Sequence, residues 1–352
     1  MANILVIDFF NLVKRYTFLL EKIDEIDEGE FYSDISEKII NRISKLIDTH
    51  KIDMLIICSD SGFNVRANSV LGGEYKANRN RAKSLSQEQK EKDYIYKLKE
   101  ILQTIPSIFI EVKDVEADNI IYLCVNYLKK KIENSKFYIT TSDTDFLQLL
   151  DSNVSIIDWN KGLVTTKNWK EIHGFDCEFL KPKDYALFKS IVGDTSDNIK
   201  GIRGIGWKKA LLLLTFLYKK LNKDLVIENI DNIVEYLKEI KENLVSDKRE
   251  KTLCERMLSL IEDNKELVRR NFSIISLDML ETPHVAKVMS SLEKALSEKV
   301  TFDPKEFLTK LKFVERFSNE DDYDKIYKKN LMLIYNIKNF AKKMERLRGS
   351  IQ

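Results

Sequence analysis

The sequence predicts an α/β fold, a mostly parallel sheet with acids at its carboxyl edge, followed by a predominantly helical part. Three observations predict it. The runs Asn3–Asp8 (NILVID) and Met54–Ser59 (MLIICS) are continuously apolar until their ends, as strands buried on both faces are. Stretches of helical spacing separate the strand-like runs, as parallel strands require for their crossovers. Strand-to-acid junctions also recur, at Asp8, Asp60, Glu116 with Asp118, and Asp143 with Asp145, and a parallel sheet would converge these on one edge.

In chain order, the strand ending at Asp8 is followed by a helix over about 33–50 and by the strand that delivers Asp60. An acid after a strand also serves as a helix cap or turn former, and either position taken alone allows that reading. Between Arg66 and Lys83 the chain carries Arg66, Lys76, Arg79, Arg81 and Lys83 against Glu74, with Tyr75 embedded in GGEYKANRNR. Cations interleaved with an aromatic suit a nucleic-acid strand, and a solvated lysine-rich loop is the alternative. Ser86 and Gln89 resemble a capping box. Tyr94, Leu98, Ile101 and Leu102 then follow at helical spacing until Pro106. A strand is expected over 108–112, a helix over 116–133 and a strand over 137–141. Glu116 and Asp118 would stand in the first turn of that helix, where capping also explains them. Asp143 and Asp145 can enter one site if the backbone stays extended there.

Weaker strands are expected at Val154–Asp158 and 163–165. Pro182 opens a helix over 183–192, and the boundary between a catalytic domain (1–181) and a second domain (182–282) is drawn there. The stretch Gly193 to Gly206, GDTSDNIKGIRGIG, follows. On a helical turn Asp194 and Asp197, at i and i+3, would share a hard cation. Gly201, Gly204 and Gly206 allow tight turns with outward N–H groups of the kind that hold phosphate oxygens, although glycine pairs also punctuate ordinary turns. From Asn198 to Lys220 the chain carries Lys200, Arg203, Lys208, Lys209, Lys219 and Lys220 with no acid. Helices are expected over 207–219, 228–244 and 251–264, a short apolar segment at 272–277, and a charge-rich helical extension over 283–352. The eight collected acids would repel one another in one cleft unless divalent cations neutralised them.

Composition narrows the function classes. At 352 residues, 43% hydrophobic and 32% charged, the chain reads as globular, with two units and an extension. Its 58 Lys and Arg nearly cancel 56 Asp and Glu, so any basic face must come from segregated charge. Cys58, Cys124, Cys177 and Cys254 lie far apart, which disfavours a zinc ribbon or a disulfide framework and fits a reducing cytoplasm. The start MANILVIDFF lacks the pattern of a signal peptide, and the apolar run from Ala210 to Tyr218 is too short to span a bilayer. His50, His173 and His284 are isolated, so histidine catalysis has little support.

LVIDFFN, EYKANR, VEADN, TTSDTDF and GDTSDNIKGIRGIG, in this order over about residues 3 to 280, resemble the 5′-to-3′ exonuclease and flap endonuclease family, in layout its bacteriophage ribonuclease H members. The resemblance implies a PIN-like nuclease core with a helical arch over about 66–105 and a helix-three-turn-helix domain gripping duplex DNA. By position it implies that Asp8, Asp60, Glu116, Asp118 and Asp143 form one metal cluster, with Asp145, Asp194 and Asp197 completing a second. Lys76 and Arg79 would contact the scissile phosphate, and Tyr75 would stack. Gly201 to Gly206 would lie on the duplex backbone, with K⁺ held by hairpin carbonyls. The family motif commonly reads E-A-D-D, whereas Asn119 stands here in place of the last acid.

The implied reaction is phosphodiester hydrolysis assisted by two Mg²⁺ ions about 3.5–4 Å apart, with Mn²⁺ able to substitute. Its substrates would be DNA and RNA–DNA duplexes with 5′ ends, nicks or flaps, and its task the removal of RNA primers and flaps in replication. A single-strand-binding protein or sliding clamp is the kind of replication partner implied. A PIN-type endoribonuclease would share the acids without needing GIRGIG or EYKANR. A haloacid-dehalogenase-like phosphatase would want glycine where Phe146 stands, and a silent DNA-binding factor has only Asn119 in its favour.

Overall fold

In the computed structural model the described residues are 1–17, 28–61, 76, 85–178, 180–221, 229–312 and 320–351. The chain forms two compact units, one of Met1–Phe63, Ala82–Ser142 and Glu281–Gln352, the other of Asn64–Arg81 and Asp143–Leu280. Among the described residues no helix is long and apolar enough to cross a membrane.

The first unit is built on β1 (Asn3–Asp8), β2 (Met54–Ser59), β3 (Ile108–Glu111) and β4 (Lys136–Thr140), all parallel and ordered β3-β2-β1-β4. Ile4 to Ile7 and all of β2 are buried, as their unbroken apolar sequences require. Each such large side chain withdrawn from water contributes about 1.5–3 kcal/mol. The register pairs Asp8 with Cys58 and Ile7 with Thr140, so Asp8, Asp60 and Thr141 leave neighbouring strands at one edge. Helix Ala117–Lys131 packs on β1 and β2 and buries Ile120, Ile121, Cys124, Val125 and Leu128. Tyr94, Leu98, Ile101 and Leu102 of helix Leu85–Thr104 are all buried, in agreement with their spacing. The four cysteines are free thiols in buried positions.

The C-terminal extension belongs to this same unit. Helix Thr282–Ser297 packs on β3 and on Ala117–Lys131, Pro304–Leu311 on Leu85–Thr104, and Leu331–Gly349 on β2 and helix Glu28–His50. Leu333, Ile334, Ile337, Phe340 and Met344 form the buried face of the last helix. Lys343 pairs with Asp53 at 2.8 Å and Lys310 with Glu100 at 2.9 Å. The buried Arg348 donates to the carbonyls of Ala295, Leu296 and Glu298, which satisfies acceptors that the end of Thr282–Ser297 would otherwise leave open. Sequence composition draws a boundary at 283; packing instead joins 281–352 to the sheet, because these helices bury their apolar faces on β2, β3 and the helices beside them.

The second unit holds the 3₁₀ turn Thr144–Leu149, the antiparallel pair β5 (Val154–Asp158) and β6 (Gly162–Val164), and helix Tyr185–Val192. After them come a two-stranded ribbon of β7 (Gly193–Asp194) and β8 (Ile199–Lys200), then helices Trp207–Leu221, Ile230–Glu239, Lys248–Glu262 and Lys265–Ile275. Trp169, Phe175, Tyr185, Phe188 and Trp207 form an aromatic cluster, with Phe175 and Phe188 at 4.8 and 4.7 Å from Trp207. The helix Lys248–Glu262 begins earlier than its spacing suggested because Asp247 caps it, accepting from the amides of Arg249 and Glu250 at 2.9 and 3.0 Å.

Three local expectations are corrected. Gly193, at φ 85°, ends the preceding helix, so Asp194 lies in the ribbon and Asp197 in its turn, and the two do not share a helical turn. The backbone after Asp143 is not extended, since Asp143 caps a 3₁₀ turn and accepts the Asp145 amide at 2.9 Å. The apolar residues at 272–275 are the last turn of helix Lys265–Ile275 rather than a separate segment.

Candidate active site

In the first unit the acids stand at strand ends or in the first turn of a helix, and two of the four, Asp8 and Asp60, accept backbone amides at helix starts. Asp8 accepts the Asn11 amide at 3.1 Å with one oxygen and the Thr141 hydroxyl at 3.2 Å with the other. Asp60 accepts the amide of Ala117 and so ties the end of β2 to the start of the helix that carries Asp118. Glu116 is the cap residue of that helix without a side-chain cap bond, and Asp118 accepts the Asn119 amide at 2.6 Å. Capping and site formation are therefore compatible here: the backbone donor fixes the rotamer, and the sheet edge sets where the carboxylate stands. Asn119 is 2% exposed on the packed face of the helix, so an amide there avoids the desolvation a carboxylate would suffer.

In the second unit Lys189 joins two of the predicted ligands. Its ammonium bridges Asp145 Oδ1 and Asp194 Oδ2, the latter at 2.7 Å, and the side chain is 11% exposed. Asp194 spends its other oxygen on the Ser196 amide and hydroxyl, at 2.8 and 2.6 Å. The two carboxylates titrate in opposite directions. Burial pushes Asp145 up to about 7, with Lys189 opposing and Asp143 and Asp194 reinforcing. Burial also pushes Asp194 up, but Lys189 and Ser196 outweigh it and hold the group below the ordinary carboxylate range. Burial alone would lower Lys189, yet the surrounding carboxylates, Asp145 first among the groups that favour charge, hold it well above the ordinary lysine value.

The turn Thr195–Asn198 is anchored from a distant part of the chain, since the Asp197 carbonyl accepts the Lys76 amide at 3.1 Å. Lys76 has φ 56°, an uncommon left-handed conformation for a side-chain-bearing residue. Arg66, Tyr75, Arg79, Arg81 and Lys83 lie outside the described residues.

Beyond the ribbon the glycines divide by role. A Cβ on Gly201 would stand 2.0 Å from the Val192 carbonyl oxygen, so the two backbones meet there with no room for a side chain. Gly204, at φ 89°, is required by conformation instead. Ile202 and Ile205 are buried and pin the loop, while Lys200, Arg203, Gly204, Gly206, Lys208 and Lys209 are exposed. Lys209 donates to the Gly204 carbonyl at 2.8 Å. The loop thus presents cations on a base pinned by buried isoleucines, the kind of charge that suits phosphate oxygens. Asn271, fully buried, ties this base together by donating to the carbonyls of Ser190 and Lys200 at 2.9 and 2.8 Å.

Among the described residues no three Asp, Glu, His or Cys side chains are grouped closely enough to hold a metal ion, and in the second unit an ammonium stands between the Asp145 and Asp194 carboxylates. The donors around that ammonium are carboxylate oxygens, the hard set that suits hard divalent cations. Sequence reasoning missed Lys189, Thr141, Ser196 and Asn271. A lone lysine within the apolar stretch YALFKSIV was the available signal for Lys189; nothing local distinguishes Asn271.

One unit has a parallel sheet with acids at its carboxyl edge and the other is helical with a glycine-spaced basic loop, an α/β fold followed by a helical module. The profile of the 5′-3′ exonuclease N-terminal resolvase-like domain matches residues 3–174, and that of the 5′-3′ exonuclease C-terminal SAM fold matches 180–278. The chain belongs to the 5′-3′ exonuclease family. It is 34% identical over 204 residues to the 5′-3′ exonuclease of Buchnera aphidicola subsp. Acyrthosiphon pisum, a match covering 58% of this chain and 64% of that one. It is 33% identical over 233 residues to DNA polymerase I of Caldicellulosiruptor bescii, covering 64% of this chain and 25% of the polymerase. The chain thus matches less than two thirds of the length of each of these relatives. A bacteriophage T5 flap endonuclease variant in complex with DNA and metal ions has the same fold, with a TM-score of 0.61 and 18% identity over 84% of this chain and 99% of that one. A T5 5′-exonuclease with divalent zinc bound superposes with a TM-score of 0.57 at 19% identity, over 95% and 100% of the two chains.

Proposed function

We propose that the chain is a metal-dependent 5′ nuclease that hydrolyses phosphodiester bonds in DNA and RNA–DNA duplexes at 5′ ends, nicks and flaps. The observation that carries this reading is the second-unit arrangement of Asp145, Asp194, Lys189 and the Lys76–Asp197 contact beside an exposed basic loop. The neighbours with DNA and with divalent metal agree with it.

Asp145, Asp194 and Asp197 of the second unit would hold one cation, and Asp8, Asp60, Glu116 and Asp118 of the first another, with Mg²⁺ as the resident ion and Mn²⁺ as a substitute. Bound there, such ions supply an activated water and stabilise charge on the leaving oxygen. The protein's own contribution is orientation: capping amides fix the carboxylates, Thr141 holds the outer oxygen of Asp8, and the Lys76–Asp197 backbone bond places a lysine beside the turn. The loop from Lys200 to Lys209 would track the duplex backbone without reading bases, so selection would be by shape.

Cleavage of a 5′-flap duplex with and without Mg²⁺ tests the reading. Asp145→Asn should abolish turnover and leave flap binding within a few-fold, because a lost ligand removes transition-state stabilisation while phosphate contacts persist. Unimpaired turnover by that variant, or cleavage confined to single-stranded RNA, would overturn it.

A further inference from the structure

Lys189 is not accounted for by strand ends, caps or the basic loop. It is the only cation of helix Tyr185–Val192, whose Tyr185, Ala186, Leu187, Phe188 and Ile191 are buried core residues. A lysine in such a position bears a desolvation cost that only good partners offset. Its partners are Asp145 and Asp194, brought from different stretches of chain to the two sides of one ammonium.

We propose, resting on the metal-site reading above, that Lys189 is a built-in counter-ion of the Asp145–Asp194 pair, a positioning residue whose ammonium holds the place of a divalent cation and must be displaced for that cation to enter. The geometry supports each part. Two carboxylates aimed at one point would repel each other and turn away if nothing positive stood between them. The ammonium keeps both oxygens pointed at a common position, with Ser196 fixing the far oxygen of Asp194. It does so as a compact single charge on a flexible stem, which can swing aside, whereas the oxygens it vacates suit an ion of higher charge and shorter contact distance. An ammonium and a divalent ion cannot both touch the same pair of oxygens without strong repulsion. The lysine therefore preorganises the site and sets a threshold concentration for the ion.

Divalent-ion binding to the full chain without nucleic acid tests this, with Mn²⁺ titrated by calorimetry and by paramagnetic resonance. Lys189→Met removes the charge and keeps the stem. The expected result is a weaker-site Kd lowered about tenfold or more relative to the natural protein, because the ion no longer competes with a tethered charge. Lys189→Arg keeps a charge and should retain the weak affinity. A merely structural ion pair would lower the melting temperature of Lys189→Met with no change in Kd, and that result overturns the proposal. If Lys189→Met folds only with metal, rescue by Mn²⁺ but not by Na⁺ at equal ionic strength supports it, and no rescue by either overturns it. Failure of the natural protein to bind any divalent ion would instead overturn the metal-site reading itself.

Discussion

Replacing Gly201 by alanine sets two backbones against each other. The new Cβ would stand 2.0 Å from the Val192 oxygen, 2.2 Å from its carbonyl carbon and 2.6 Å from the Gly193 nitrogen. Close carbon-to-oxygen contacts settle at about 3.3–3.6 Å, so the strand must move by roughly 1.3 Å. The obstructing atoms are backbone and cannot rotate away. Such a shift breaks the Ile202 amide bond to the Ile191 carbonyl at 2.9 Å and the Asn271 bond to Lys200 at 2.8 Å. Over-packing costs about 1–3 kcal/mol and each lost bond about 0.5–1.5 kcal/mol, so the expected destabilisation is roughly 2–6 kcal/mol. Urea denaturation followed by tryptophan fluorescence reads it, since Trp207 packs in the aromatic cluster a few residues away. Gly206→Ala is the internal control. Nothing lies within 4 Å of its Cβ position, and its carbonyl merely opens the next helix, so its cost should stay within about 1 kcal/mol. A Gly201→Ala variant as stable as the natural protein, or a Gly206→Ala variant equally damaged, would refute the close-approach argument.

Lys200→Glu combined with Lys208→Glu, both at exposed positions, should weaken duplex binding and make the slope of log K against log salt shallower by about 1.8, while turnover at saturating duplex survives. An unchanged slope would place the duplex elsewhere. Tyr218→Phe should show a pH-dependent loss of stability. Burial pushes the Asp184 carboxyl above its ordinary value, against the opposing bonds from the Tyr218 hydroxyl at 2.6 Å and the Lys181 amide at 2.9 Å. An acid with a raised folded pKa stabilises fully below its unfolded value near 3.9 and loses that contribution as pH rises through the folded pKa. Removing the hydroxyl raises the folded pKa further, so the variant should cost about 1.5–3 kcal/mol at neutral pH and less at pH 4, measured by urea midpoints. Equal costs at both would count against the assignment.

By itself the sequence determined the sheet strands, the acids at their ends, the buried face of helix Leu85–Thr104 and the basic glycine-spaced loop. Each of these is written in local pattern: a short unbroken apolar run that ends in an acid suits a strand buried on both faces, and spacing by three and four places side chains on one helix face. Local pattern also misled where a single residue changes the backbone. Gly193 ends its helix and moves Asp194 and Asp197 off a common turn, and the Asp143 cap curls a stretch expected to be extended. Four similar-looking glycines proved to serve different ends, because clearance around Gly201 and its absence as a constraint at Gly206 depend on the strand opposite. Only the tertiary structure decided that Lys189 stands between Asp145 and Asp194, that Lys76 joins the Asp197 turn, and that the last helix returns to β2 with Arg348 closing the helix Thr282–Ser297. Those contacts join residues far apart in the chain, and which partners meet is set by the path of the whole backbone and the burial of shared apolar faces, neither of which any short stretch of sequence contains.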